Sequence, residues 1–152
     1  YEDHLAETDA ERENYPYIIS TYRVTEHYQS GIMTRNMPWL NETMPELFIE
    51  LDEELAKELS IANGDTVLVE SKRLLKNGEQ NSIEAKACIT KRLKPMVING
   101  ETKHIVGMPF HWGFMGMAKG DVCNDLCPSV GDANTNIPEF KAFLCNIKRK
   151  GA

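Results

Sequence analysis

Apolar and β-branched residues fall in short runs punctuated by polar, glycine- and proline-marked turns, a pattern that predicts strands more than helices. Residues 17–24 (Tyr17, Ile18, Ile19, Ser20, Thr21, Tyr22, Arg23, Val24) predict a strand, and residues 48–51 a short apolar one. Residues 66–71 predict a third, turning through Asn77-Gly78 into an alternating return strand over residues 83–90. Val97-Ile98, a second Asn-Gly turn at 99–100, and His104-Ile105-Val106 follow, with a last strand near residues 140–147. One stretch has helical spacing: Leu51, Leu55 and Leu59, with Ala56, mark one face. Asp52 stands at the N-cap position, Glu53 and Glu54 in the first turn, and Asn63-Gly64 at the expected stop. Pro38 and Pro45 predict that no helix crosses residues 37–46. Six or seven short strands, one clear helix and long connections predict a β-barrel with small helices rather than alternating βαβ units.

Length and charge narrow the picture. The chain has 152 residues and a formal net charge of −6, a size that fits one domain with a core needing no disulfide or metal staple. No apolar run approaches the ~18 residues of a membrane span. Residues 1–14 hold six acids and one base, and residues 42–58 hold seven acids and Lys57. Residues 59–152 carry nine acids against thirteen bases. The reading is therefore an acidic, disordered lead-in over residues 1–14 and a barrel domain over 15–152 whose later part is mildly basic. An acidic total argues against nucleic acid as partner. Because it opens on Tyr1 rather than Met, the sequence reads as a piece of a longer chain.

Two segments are more polar-functional than a core requires. Residues 21–35 end a strand in a turn crowded with hydroxyls, His27, Arg23, Arg35 and Gly31; backbone N–H groups, Ser and Thr hydroxyls and guanidinium groups in such a turn suit a phosphate, though hydroxyls and glycine also furnish ordinary surface turns. Residues 109–120 interleave Gly113, Gly116 and Gly120 with Phe110, His111, Trp112, Phe114 and two methionines. That mixture suits either a flat heteroaromatic ligand or an apolar loop sealing the barrel. Cys123 and Cys127 lack a second close pair for a zinc set, and Cys88 and Cys145 lie in strand-like runs as expected buried thiols. No nucleophile elbow, HExxH helix or metal-spaced histidines occur, so neither a catalytic set nor a metal site is expected.

The stretch from Leu51 through Leu59-Ser60-Ile61-Ala62-Asn63-Gly64-Asp65-Thr66-Val67 resembles the hallmark of the C-terminal dinucleotide-binding domain of molybdenum or tungsten bis-pterin oxidoreductases, with Ser60 where that family usually has Gly. Tyr22-Arg23-Val24-Thr25-Glu26-His27-Tyr28, Gly31-Ile32-Met33-Thr34-Arg35-Asn36, His111-Trp112-Gly113-Phe114, residues 124–135 and Pro138-Glu139-Phe140-Lys141-Ala142-Phe143 further resemble formate dehydrogenase alpha subunits. The resemblance covers residues 15–147.

It implies a mainly β fold, a six-stranded double-psi β-barrel of the aspartate-decarboxylase-like type with a few short helices. It also implies molybdopterin guanine dinucleotide, with molybdenum or tungsten, as cofactor. Carried over position by position, cofactor contacts fall on Arg23, Thr25, Glu26, His27, Ser30, Gly31 and Thr34 in a first loop, His111 and Trp112 in a second, Asn124 in a third, and Phe140 with Lys141 at the last strand. A 4Fe-4S cluster and a selenocysteine or cysteine metal ligand are expected in parts of the subunit outside this chain, which alone is expected to have no activity. Expected partners are the remaining domains of the large subunit and an iron–sulfur electron-transfer subunit, with a dimer as another state of the isolated fragment. A stand-alone interaction module on the same barrel, or the same domain from a nitrate or polysulfide reductase, are the alternatives. Self-cleaving decarboxylase chemistry is disfavoured because no Gly-Ser pair occurs.

Overall fold

The computed structural model describes residues 9–74, 77–110, 112–113, 116–138 and 140–151. Eight strands follow one another along the chain: β1 (Tyr17–Tyr22), β2 (Phe48–Leu51), β3 (Thr66–Leu74), β4 (Gln80–Ile89), β5 (Met96–Ile98), β6 (Glu101–Lys103), β7 (Ile105–Pro109) and β8 (Phe143–Arg149). Six of them close a barrel in the order β1-β7-β2-β4-β3-β8, and β5 and β6 form a separate hairpin. This is the closed six-stranded barrel that the resemblance implied.

Two pairings are parallel, β1 with β7 (Ile18 opposite Ile105 through Tyr22 opposite Pro109) and β2 with β4 (Phe48 opposite Lys86 through Leu51 opposite Ile89). The other barrel pairings are antiparallel. Alternation fills the interior: Val67 and Val69 from β3, Ile83, Ala85 and Ala87 from β4, and Phe143, Cys145 and Ile147 from β8 point inward, joined by Ile19, Ile49, Leu51, Val106 and Met108. Closure leaves the barrel strands without a free edge.

The structure corrects several expectations. A helix does form within residues 37–46: α2 (Pro38–Thr43) begins with Pro38 at a first-turn position, where proline's missing N–H is not needed, and ends before Pro45. The lead-in carries a short helix, α1 (Asp9–Asn14), with the Tyr15 amide donating to the Glu11 carbonyl; residues 1–8 lie outside the described residues. The last strand starts at Phe143, three residues late, because Phe140 is held by a different bond, its carbonyl accepting from the Thr21 hydroxyl at 2.7 Å. Cys145 is fully buried, but Cys88 is only half-buried, since it lies on the side of β4 that alternates outward.

The predicted helix is α3 (Glu53–Glu58), and Asp52 caps it as expected: its carboxylate accepts from the Glu54 and Leu55 amides at 3.0 and 2.9 Å. It ends earlier than Asn63-Gly64. Ser60 takes φ +55°, its amide donates to Lys57 (3.2 Å), and the Ile61 amide reaches back to Ala56 (2.9 Å). These two bonds form a Schellman motif whose left-handed position falls on Ser60. A side chain there crowds the following carbonyl, which explains a preference for glycine at this position.

Two outcomes follow. Ser60→Gly raises stability by about 1 kcal/mol, read as an upward shift in the thermal or denaturant midpoint. The second concerns Asp52, whose buried carboxylate also meets His104 Nδ1 at 2.7 Å. Burial opposes its ionisation, but the Leu55 amide, the His104 ring and the Glu54 amide outweigh that and hold it below the ordinary Asp range. A depressed folded-state pKa contributes stability that is present above the unfolded value, near 3.9, and lost as pH falls through the folded one. Asp52→Asn keeps a capping side chain, so unfolding midpoints measured from pH 5 downward lose part of their acid dependence while the helix is retained.

Candidate functional site

Because β1 and β7 run parallel, their C-terminal ends, Tyr22 and Pro109, lie side by side. The antiparallel β8 brings its N-terminal end to the same rim, as Ile19 opposite Phe143 shows. β3 in turn pairs with β8 (Glu70 opposite Asn146), so Arg73 emerges there too. Segments distant in sequence thus open onto one end of the barrel.

Two cavities open at this rim, and a third begins beside it and runs along β2 and β4; neighbouring cavities share a lining residue. One of about 260 Å³ is bounded by Arg23, Gln29, Ser30, Phe110, Phe140 and Lys141. Phe140 also borders a neighbouring cavity of about 570 Å³ with Arg73 and Asn124. Arg23 borders the third, about 810 Å³, with Thr25 and Glu26. In the smallest, two cations converge on one ring: the Arg23 guanidinium carbon lies 5.2 Å and Lys141 Nζ 5.9 Å from the centre of Phe110. Lys141 is oriented by donating to the Thr21 carbonyl. Two exposed cations beside an aromatic floor suit a phosphate or diphosphate with an adjoining ring.

The expected contacts divide into two groups. Arg23, Thr25, Glu26, Ser30, Asn124, Phe140 and Lys141 line this band of neighbouring cavities. His27, Gly31, Thr34 and Trp112 do not; they form the packed base of the first loop. His27 and Trp112 are buried and in contact, their ring centres 3.9 Å apart and their planes tilted by 41°, and His27 Nδ1 lies 2.9 Å from the Thr34 hydroxyl. Burial lowers the His27 pKa, so the ring is neutral at neutral pH. Trp112, expected among the contacts, offers no exposed ring face, because Gly31 and His27 cover it. His111 lies outside the described residues.

Four contributors were absent from the expected cofactor contacts. Gln29 went unnamed inside the first flagged segment, and Phe110 was noted in the second only as part of its aromatic mixture. Arg73 has no sequence signal, since only strand pairing carries it to the rim. Arg35 is buried and donates to the carbonyls of Gly31 (3.2 Å) and Ser30 (2.9 Å), fixing the turn that presents Ser30. The Asn124 loop is fixed from inside the barrel: Ser71 donates to the Leu126 carbonyl at 2.7 Å, and Asn81 to that of Asp125. Both polar residues occupy inward positions on their strands, where an apolar side chain would leave those carbonyls unpaired.

Known proteins resemble this chain. Residues 17–144 match the model of a family described as the Molydopterin dinucleotide binding domain. The formate dehydrogenase subunit alpha of Megalodesulfovibrio gigas is 52% identical over 136 residues, 89% of this chain and 13% of that one. The nitrate-inducible formate dehydrogenase major subunit of Escherichia coli K12 is 45% identical over 95% of this chain and 14% of its own length. The chain thus spans 13–14% of the length of these curated relatives. Among solved structures, acetylene hydratase from Pelobacter acetylenicus superposes with a TM-score of 0.69 at 16% identity, over 98% of this chain and 21% of that one, a shared fold.

Gly31 has φ +78°, and a Cβ there would stand 2.8 Å from the Trp112 ring. Gly31→Ala should therefore cost at least about 1–2 kcal/mol from backbone conformation alone, measured by denaturant unfolding, with amide shifts spreading to Ser30 and Trp112.

Proposed function

Since the chain belongs to the Molydopterin dinucleotide binding domain family, we propose that its rim band holds the guanine dinucleotide form of the molybdopterin cofactor within a formate dehydrogenase large subunit. The observation that carries this reading is the convergence of Arg23 and Lys141 on Phe110, in the smallest of three neighbouring cavities. The residues present fit such a group. Two cations and the Ser30 hydroxyl suit the diphosphate, aromatic rings at Phe110 and Phe140 suit flat heterocycles, and the Asn124 amide suits a purine or pterin edge.

In this reading Arg23 and Lys141 neutralise and orient the diphosphate. Arg35 and the His27–Trp112 contact hold the Ser30–Gly31 turn against it. When bound, the cofactor supplies the molybdenum or tungsten centre at which formate is oxidised to carbon dioxide by two electrons. This chain supplies binding and orientation. The metal ligand, whether selenocysteine or cysteine, any 4Fe-4S cluster, and the contacts with an iron–sulfur subunit would belong to the portions of the relatives that this chain does not match. Exposed apolar residues flanking the first loop (Tyr28, Ile32, Met33 and Trp39) support a neighbouring domain of the same subunit on that side.

Titration with guanosine diphosphate, followed by amide chemical shifts, tests the reading. Affinity should be weak because the band is one open wall. Shifts should gather at Arg23, Gln29, Ser30, Phe110, Phe140 and Lys141. Arg23→Ala and Lys141→Ala should each weaken binding by roughly tenfold, as expected for loss of a charge-assisted contact, with diminished salt dependence. Shifts confined to the β5–β6 hairpin, or unchanged affinity in the double variant, would overturn it.

A further inference from the structure

Under the Asn124 wall of the 570 Å³ cavity, two thiols stand one turn apart. Cys123 and Cys127 bracket a 3-10 turn (Cys123–Asp125) closed by the Leu126 amide on the Cys123 carbonyl (3.0 Å) and the Cys127 amide on the Asn124 carbonyl (3.2 Å). Cys127 Sγ lies 3.7 Å from the Cys123 carbonyl oxygen and 3.9 Å from Asn124 Oδ1. Both cysteines are free. Their access differs: Cys127 lines the cavity, whereas Cys123 has no exposed surface.

The local charges separate the two further. Arg73 donates to the carbonyls of Asn124 (2.6 Å) and Cys127 (3.0 Å), placing a guanidinium beside the outer thiol. The hydrogen bond from Cys123 lowers the Cys127 pKa most; burial opposes it, Arg73 adds to the lowering, Asp125 opposes and Lys141 assists. The same pairing, then burial, then the nearby Cys127, Cys145 and Asp125 push Cys123 up. The remaining thiols lack this arrangement. Cys145 is sealed in the core, with burial holding its pKa high, and Cys88 stands near Glu50, with burial first and that carboxylate second raising it.

We propose that Cys123 and Cys127 form a thiol–disulfide exchange site, with Cys127 as the attacking thiol and Cys123 as the resolving one, acting on a low-molecular-weight disulfide that enters through the cavity. The Cys127 thiolate attacks one sulfur of the disulfide, whose S–S bond breaks. One thiolate leaves and takes up the proton that Cys127 gave to solvent. Cys123 then loses its proton and attacks the Cys127 sulfur of the mixed disulfide, expelling the second thiolate, which is protonated in turn. The protein dithiol is oxidised by two electrons and one small disulfide is reduced to two thiols.

Bridging has a structural consequence. Cβ atoms four residues apart on a helical turn are roughly 5–6 Å apart, and a disulfide draws them to about 3.5–4.5 Å. The turn must tighten around Asn124, which stands between the two cysteines and faces the cavity. A fall in nucleotide affinity on oxidation would follow, and this consequence alone rests on the function proposed above.

The test is chemical and needs no cofactor. The reduced full chain is treated with glutathione disulfide, quenched in acid, digested and weighed. The expected product is a peptide lighter by two hydrogens that holds both Cys123 and Cys127, with Cys88 and Cys145 unmodified. Cys123→Ser should stop at a stable glutathione adduct on Cys127. Iodoacetamide should label Cys127 at least about tenfold faster than Cys123 in the unmutated chain, a comparison that does not depend on any variant folding. Adducts chiefly on Cys88, no bridged peptide, or no trapped adduct in a Cys123→Ser chain with unchanged circular dichroism would each overturn the proposal. Because guanosine diphosphate plays no part, failure here leaves the binding reading standing, and failure of nucleotide binding leaves this one standing.

Discussion

The parallel pairing of β1 with β7 is the constraint on which the rest depends. Parallel neighbours place like ends together, so the chain leaving Tyr22 and the chain leaving Pro109 emerge at one rim although 87 positions separate them. The second parallel pair, β2 with β4, completes the interlocked closure, and the antiparallel β8 and β3 bring the Phe140–Lys141 segment and Arg73 to the same end. Parallel strands require crossovers rather than tight hairpins, and here the crossover ends become the loops of the rim.

That convergence is made rigid by buried packing rather than by the residues that face outward. Trp112 fills the space under Gly31, His27 packs against it, and Arg35 ties back the carbonyls of Ser30 and Gly31 while lying 6.0 Å from the same indole. A buried guanidinium whose donors are met by loop carbonyls replaces the hydrogen bonds that a strand would otherwise provide. The outward groups, Arg23, Ser30 and Lys141, are thus presented from a fixed base. On the Asn124 side, Ser71 and Asn81 play the corresponding part from within the barrel.

Charge follows the same division. The net −6 is concentrated in the N-terminal residues and around α3, while the rim carries Arg23, Arg73 and Lys141. Local field at a site is set by groups within about a Debye length, ~10 Å at moderate salt, so an acidic total is compatible with an anion-binding face.

The sequence by itself determined much of this protein. Apolar runs, alternation and Asn-Gly turns placed β2 and the hairpin turn at Asn99-Gly100 to the residue and β3 and β4 to within three residues at one end, because strand period and turn chemistry are local properties. The Asp52 cap is local as well, and the motif spacing carried the family. Local reasoning failed where context overrode it: Pro38 opens a helix instead of forbidding one, α3 ends at Ser60 in a left-handed conformation, and Phe140 is drawn out of the last strand by Thr21. Which loop residues face the band was beyond any local pattern. His27 and Arg23 lie four residues apart in one polar turn, yet one packs under Gly31 and the other stands over Phe110. Only the barrel's closure, which sets what lies beside each of them, made that choice.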